Sequence, residues 1–144
     1  MPHVETPQEY RILGSYPHLA PVDVAIWSRF IAENPQRFLR VWYDFRIGDE
    51  DAGDPDVAPR TNENWWDLTY WRIDVVAEDA KKFYVIEVKP LANSKAIGQA
   101  LSYAKIFEED EKPGKPVVPV VLTDRLIATT ARCAEHCGVE LWTT

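Results

Sequence analysis

The chain is poor in the residues that most often build a ready-made reactive site. It has two cysteines and three histidines among 144 residues. Cys133 and Cys137 stand four apart in a stretch that reads as helix, so they share a face but are poorly placed for a strain-free disulfide. His136 lies between them, and with only His3 and His18 elsewhere, zinc or iron–sulfur binding lacks ligands. The two thiols therefore read as buried structural groups. Six glycines make no phosphate-cradling loop, and neither a His-x-x-x-His zinc pair nor a nucleophile elbow is present. No apolar run reaches the roughly 18 to 20 residues of a membrane span. The N-terminal residues also lack the basic and apolar regions of a signal peptide. The expectation is a cytoplasmic chain with no membrane partner.

Positive charge is scarce too. Sixteen Lys and Arg face twenty-three Asp and Glu, a formal charge of −7, which at first sight argues against a polyanionic partner. The excess is local, however. Gly48 to Pro59 carries Asp49, Glu50, Asp51, Asp54 and Asp56 with no Lys or Arg, and without those five acids the charge is −2. The remaining body is nearly balanced and leaves room for a small nucleic-acid footprint.

What is present is enough apolar material for one core, 46% of the residues, in a chain too short for two ordinary domains. Residues 1–20 hold three prolines and no clear period and read as an extended arm ahead of a single domain over 21–144. Pro21 to Pro35 spaces Val22, Ile26, Trp27, Phe30 and Ile31 along one helical face, bracketed by prolines. Arg37 to Gly48 alternates Leu39, Val41, Tyr43, Phe45 and Ile47 against Arg40, Trp42, Asp44 and Arg46, the period of a half-buried strand. An acidic loop over 48–64 is long enough to suggest a role or disorder. Strands follow in "DLTYWRIDVVAE" and "KKFYVIEVK". A helix runs over "ANSKAIGQALSYAKIFEEDE" with Ile97, Leu101, Ala104 and Phe107 as its core stripe. A buried strand "PVVPVVLTD", a helix capped by Asp124 and closed by Gly138, and a short strand "VELWTT" complete the order.

The chemistry concentrates in "FYVIEVKP", Phe83 to Pro90. Side chains alternate along a strand, so Phe83, Val85, Glu87 and Lys89 share one face and Tyr84, Ile86 and Val88 the other. A turn of two residues puts Asp74 diagonal to Glu87, and a turn of four puts it directly opposite; either brings the two acids to one face. An odd turn with a bulge would undo this. Two carboxylates at a solvated sheet end with a lysine beside them can be a plain ion pair. Here the neighbours are apolar and a covering helix follows, so the acids repel unless a cation compensates. Lys89 supplies one charge, and a hard divalent ion such as Mg²⁺ would supply two.

Asp74, twelve intervening residues, Glu87-Val88-Lys89, and then a helix bearing Gln99 and Tyr103 resemble the PD-(D/E)xK nuclease superfamily, in its RecB-like branch. The resemblance covers about Trp71 to Phe107. It implies an α/β, restriction-endonuclease-like core in which helix, three strands, helix and strand form a mixed central sheet flanked by helices, here with an additional C-terminal helix and strand. It also implies that Asp74, Glu87 and the Val88 carbonyl hold Mg²⁺ or Mn²⁺. Lys89 would orient or help deprotonate the attacking water, and Gln99 and Tyr103 would line the cleft. Absent the motif, Gln99 reads as a surface amide and Tyr103 as a core aromatic. Two departures stand out. Ile73 replaces the proline that precedes the family's Asp, and the glutamate often found on the first helix has only Glu33 as its nearest candidate, with Asp23 next.

Lesser features keep two readings. Arg72 could contact a phosphate or pair with Glu87. Lys81, Lys82 and Lys95 could touch backbone phosphates or be solvated. Trp65, Trp66, Tyr70 and Trp71 could stack on unpaired bases or belong to the core. The resemblance implies a metal-dependent DNA endonuclease, since nothing resembles a helicase or strand-threading module, with RNA left open because nothing here reads a 2′-hydroxyl. A homodimer would supply the two sites that cutting a duplex requires. The whole chain also vaguely resembles small nucleases of bacteriophages, which places it in a host cytoplasm or a virion. The competing expectation is a nuclease-fold module that binds protein in a phage particle or DNA-processing complex.

Overall fold

The computed structural model of the chain describes residues 6–49 and 70–144. Trp65, Trp66 and nearly all of the acidic loop lie outside them. Among the described residues are helices α1 (Pro21–Glu33), α2 (Ser94–Glu111) and α3 (Ala128–Cys137). The strands are β1 (Arg40–Ile47), β2 (Trp71–Glu78), β3 (Phe83–Val88), β4 (Val117–Thr123) and β5 (Glu140–Thr143). The strands form one sheet in the order β1-β2-β3-β4-β5. β1, β2 and β3 run antiparallel, while β4 and β5 join parallel to β3, so the sheet is mixed, as expected.

Helix α1 starts on Pro21, where a missing N–H costs nothing, and Asn34 closes it by donating its amide to the Phe30 carbonyl at 3.0 Å. Its buried face is Ile26, Trp27, Phe30 and Ile31, packed on Val75, Ala77, Ile86 and Val88 of the sheet. Trp27 is fully buried, and its indole N–H donates to the Tyr43 hydroxyl at 2.9 Å. Burying a side chain of this kind contributes roughly 1.5–3 kcal/mol, and the partner spares the N–H the cost of desolvation. Val22, in line with this face but a turn earlier, is 56% exposed: the apolar stripe outruns the surface that the helix covers.

The opposite face belongs to α2, whose Ala104 and Phe107 meet Ile73, Val76 and Val85. Ala96, Ile97 and Ala100 meet Val121 and Ala134 of α3. The expected stripe of α2 holds, with Leu101 at its margin. The expected cap of α3 does not. Ile127 occupies that position without a side-chain bond, and Asp124 instead accepts the Leu91 N–H at 2.9 Å. Gly138 ends α3 with φ +70°, a left-handed cap that suits glycine. Only Thr130 and Ala134 of α3 are buried, so Cys133 is half-buried and Cys137 exposed, both free. The thiols are thus not core groups, because they flank the narrow buried stripe of a surface helix.

Two further observations concern the N-terminal half. Residues 6–20 lie against the domain: Gln8 bridges Val41 of β1, Tyr10 donates to the Asn34 carbonyl at 2.7 Å, and Tyr16 is 4% exposed. The alternation in β1 also does not place its apolar residues on one face. Val41 and Tyr43 lie on the α1 side, whereas Phe45 and Ile47 lie on the α2 side, and Leu39 is 61% exposed. The switch occurs at Asp44, in the left-handed region at φ +52°. β2 switches with it, between Val75 on the α1 side and Ile73 on the α2 side. In the β1–β2 register the two switch points, Asp44 and Asp74, face each other.

Candidate active site

The hairpin of β2 and β3 brings two acids together. Four residues, 79–82, make its turn. Glu78 pairs with Phe83 and the register runs on to Val75 and Ile86, which sets Asp74 opposite Glu87. The backbone ladder stops there. In its place the Asp74 carboxylate accepts the Val88 N–H at 2.9 Å. A residue's N–H and C=O leave a strand on the same edge, so the Val88 carbonyl faces the gap that Asp74 occupies. Glu87 is 3% exposed, and its Oε1 is buried with no hydrogen-bond partner among the described residues. Leaving a buried acceptor unpaired costs about 1–3 kcal/mol.

The electrostatics follow from this crowding. Burial pushes the Glu87 carboxyl well above the usual carboxylate range, and the charge of Asp74 pushes it further. Asp74 is raised too, first by burial and then by Asp23, although the Val88 N–H and the Lys89 ammonium pull it down. Asp23 is raised by burial and lowered by Lys89. The Tyr103 phenol is raised by burial and by the charges of Glu87 and Asp74, with a hydrogen bond from Gln99 acting the other way. Lys89 and Gln99 line one cavity of about 240 Å³. The five side chains singled out in the sequence, Asp74, Glu87, Lys89, Gln99 and Tyr103, thus meet in one place.

Asp23 joins them, and Glu33 does not. Asp23 sits in the first turn of α1, close enough to sense both Lys89 and Asp74, whereas Glu33 is exposed in the last turn, about 15 Å further along at 1.5 Å per residue. The usable signal was position: the start of α1 is the end that reaches the open end of the hairpin. Arg72 reaches Asp44 and His18, its Nη1 lying 3.5 Å from Asp44 and 3.1 Å from the His18 ring nitrogens. Trp71, 47% exposed, packs on Tyr103 with ring centroids 5.3 Å apart, so it borders the site instead of filling the core.

The donor set suits a hard cation. Two carboxylates and a carbonyl are the oxygen ligands that Mg²⁺ takes while keeping waters, and the partnerless Glu87 Oε1 is an acceptor such an ion would satisfy. Among the described residues, no three His, Cys, Asp or Glu converge closely enough to hold a metal by themselves, which leaves this mixed set.

No protein-family model and no curated protein matches the chain. Among solved structures, the chain is similar to one in the EndoMS–dsDNA2 complex, with 21% identity and a TM-score of 0.50, over 92% of this chain and 48% of that one. A repair endonuclease from Pyrococcus abyssi aligns at 18% identity and a TM-score of 0.47, over 92% and 49%. The chain spans about half the length of each, and the likeness is one of fold: an α/β domain with a mixed five-stranded sheet flanked by helices. No helix among the described residues is long and apolar enough to cross a membrane.

Proposed function

We propose that this chain is a metal-dependent DNA nuclease, cutting as an endonuclease at the open end of the β2–β3 hairpin. The observation that carries the reading is the pair Asp74 and Glu87, buried opposite each other with Glu87 Oε1 unsatisfied and Lys89 beside them. A fold shared with nucleases supports it, and Gln99 and Tyr103 on the facing helix favour the RecB-like branch. Mg²⁺ or Mn²⁺ held by Asp74, Glu87 and the Val88 carbonyl would supply Lewis-acid stabilisation of charge on the phosphate.

The chain's own residues supply the rest. Val88 N–H fixes the Asp74 carboxylate in the gap, so the acid is oriented before any ligand arrives. Lys89, one residue beyond Val88, orients the attacking water and offsets negative charge on the phosphoryl oxygens. Gln99 and Tyr103, one helical turn apart, bound the cleft on the α2 side. Asp23 closes it from α1 and steadies the Lys89 ammonium.

The test is cleavage of supercoiled plasmid and of single-stranded DNA with Mg²⁺ or Mn²⁺, comparing wild type, Asp74→Ala and Lys89→Ala. Metal-dependent cutting by the wild type alone is expected. Absence of cutting on DNA under any metal, with metal binding unaltered in Asp74→Ala, overturns the reading.

A further inference from the structure

Three lysines were equivalent in the sequence, and the fold separates them. Lys81 and Lys82 lie in the β2–β3 turn, where their backbone amides bind Asp79 at the end of the hairpin away from the site. Lys95 lies in the first turn of α2 and lines the 240 Å³ cavity that Lys89 and Gln99 also border. That cavity is therefore continuous with the site. Its walls carry two ammonium groups, the amides of Asn93 and Gln99, and no carboxylate.

The cavity is also built to keep its shape. Its floor, Leu91 and Ala92, is pinned from behind by backbone N–H donation to Asp124 at 2.9 Å and to the Thr123 hydroxyl at 3.1 Å. Thr130 of α3 donates to the Ala92 carbonyl at 3.1 Å. Leu91 is held in the left-handed region at φ +46°, a conformation that a bulky residue keeps only when its surroundings impose it. The Asn93 side chain accepts the Lys95 N–H at 3.0 Å, which fixes the backbone that carries Lys95. Among the described residues, Lys95 has no ion pair, and its side chain is exposed.

The space equals that of about eight waters at ~30 Å³ each, enough for a phosphodiester group with part of its sugar. Lys95 and Gln99 are one helical turn apart, about 6 Å along the axis at 1.5 Å per residue, the scale of the step from one phosphate to the next. We propose that this cavity holds the phosphate next to the one being cut, with Lys95 as its positioning cation. The subsite rests on the nuclease reading and adds a register to it: the scissile phosphate sits at Lys89, and its neighbour sits at Lys95. It is a phosphate contact, so it positions the strand without reading its sequence.

The test uses the full chain with Mg²⁺ and a fluorescent DNA oligonucleotide of mapped cleavage position. Lys95→Ala is expected to raise KM roughly tenfold with kcat within about twofold, and to reduce the slope of log affinity against log salt by about 1. Lys95→Arg restores most of the affinity, and Lys81→Ala behaves as wild type. One uncharged methylphosphonate beside the scissile position weakens wild type but adds nothing to Lys95→Ala. An unchanged KM and salt slope in Lys95→Ala, or a methylphosphonate penalty undiminished by it, overturns the subsite while leaving the nuclease reading intact. A wild type that neither binds nor cuts DNA overturns both.

Discussion

The two ends of the β2–β3 hairpin hold the same kinds of residue in opposite states. At the turn, every carboxylate oxygen of Glu78 and Asp79 has a partner. Glu78 takes Arg40 at 2.9 Å and Lys115 at 2.8 Å. Asp79 takes the amides of Lys81 and Lys82 at 2.8 and 2.7 Å, the Tyr84 hydroxyl at 2.8 Å and Arg37 at 3.0 Å. Burial works to raise Asp79, but these donors more than offset it and hold its carboxyl below the ordinary range. At the open end, roughly 15 Å away at about 3.3 Å per residue, Asp74 and Glu87 face each other. Both are raised, and one oxygen is unsatisfied. A closed charge network is structure. A buried acid pair with an unsatisfied oxygen offers the oxygen donors that a hard cation takes, and the contrast within one hairpin sets the two states of the same side chains side by side.

Substitutions can break that contrast, beginning with the largest effect. Glu87→Gln should lower the rate of plasmid cleavage by about 10³-fold and leave the chain folded, as urea unfolding would show. Asp79→Ala should do the reverse. It strands Arg37, Tyr84 and two turn amides, so stability should fall by about 2–3 kcal/mol in the same urea experiment, with cleavage per folded molecule unchanged.

The smallest effect is the most discriminating, because its sign differs at the two ends. Asp79 has a depressed folded pKa, so its stabilisation is present above the unfolded value near 4 and is lost as pH falls below it. Asp79→Asn should therefore be less stable than wild type at pH 7, and the two should converge in acid. Glu87 has a raised folded pKa, so what it contributes is full below about pH 4 and is lost as pH rises through its folded value. With metal chelated, Glu87→Gln should be more stable than wild type at pH 7, by about 1 kcal/mol, and should lose that advantage in acid. Thermal unfolding from pH 3 to 7 checks both, and curves that separate in the same direction would contradict the comparison.

Much of this was legible before folding. The period of Phe83 to Val88, the turn spacing and the stripe of α2 were enough to bring Asp74, Glu87, Lys89, Gln99 and Tyr103 together, because hairpin register and helix faces are local. What failed depended on where elements end against one another. Asp23 and Glu33 are indistinguishable until α1 is laid on the sheet, and Val22 belongs to the apolar stripe but overhangs. Asp124 has the chemistry of a cap, yet its oxygen is taken by Leu91, from a loop thirty-three residues earlier. The change of face at Asp44 and Asp74 cannot be read from alternation, since residues on either side of it are apolar and buried alike. That distortion lies beside the site, at the point where the ladder opens around Asp74.

The most direct test of the claim that the open end is a cation site is calorimetric titration of Mg²⁺ and Mn²⁺ into wild type, Asp74→Asn and Asp79→Asn. Binding should appear in wild type, persist in folded Asp79→Asn and vanish in Asp74→Asn. Undiminished binding in Asp74→Asn, or none in wild type, would contradict it.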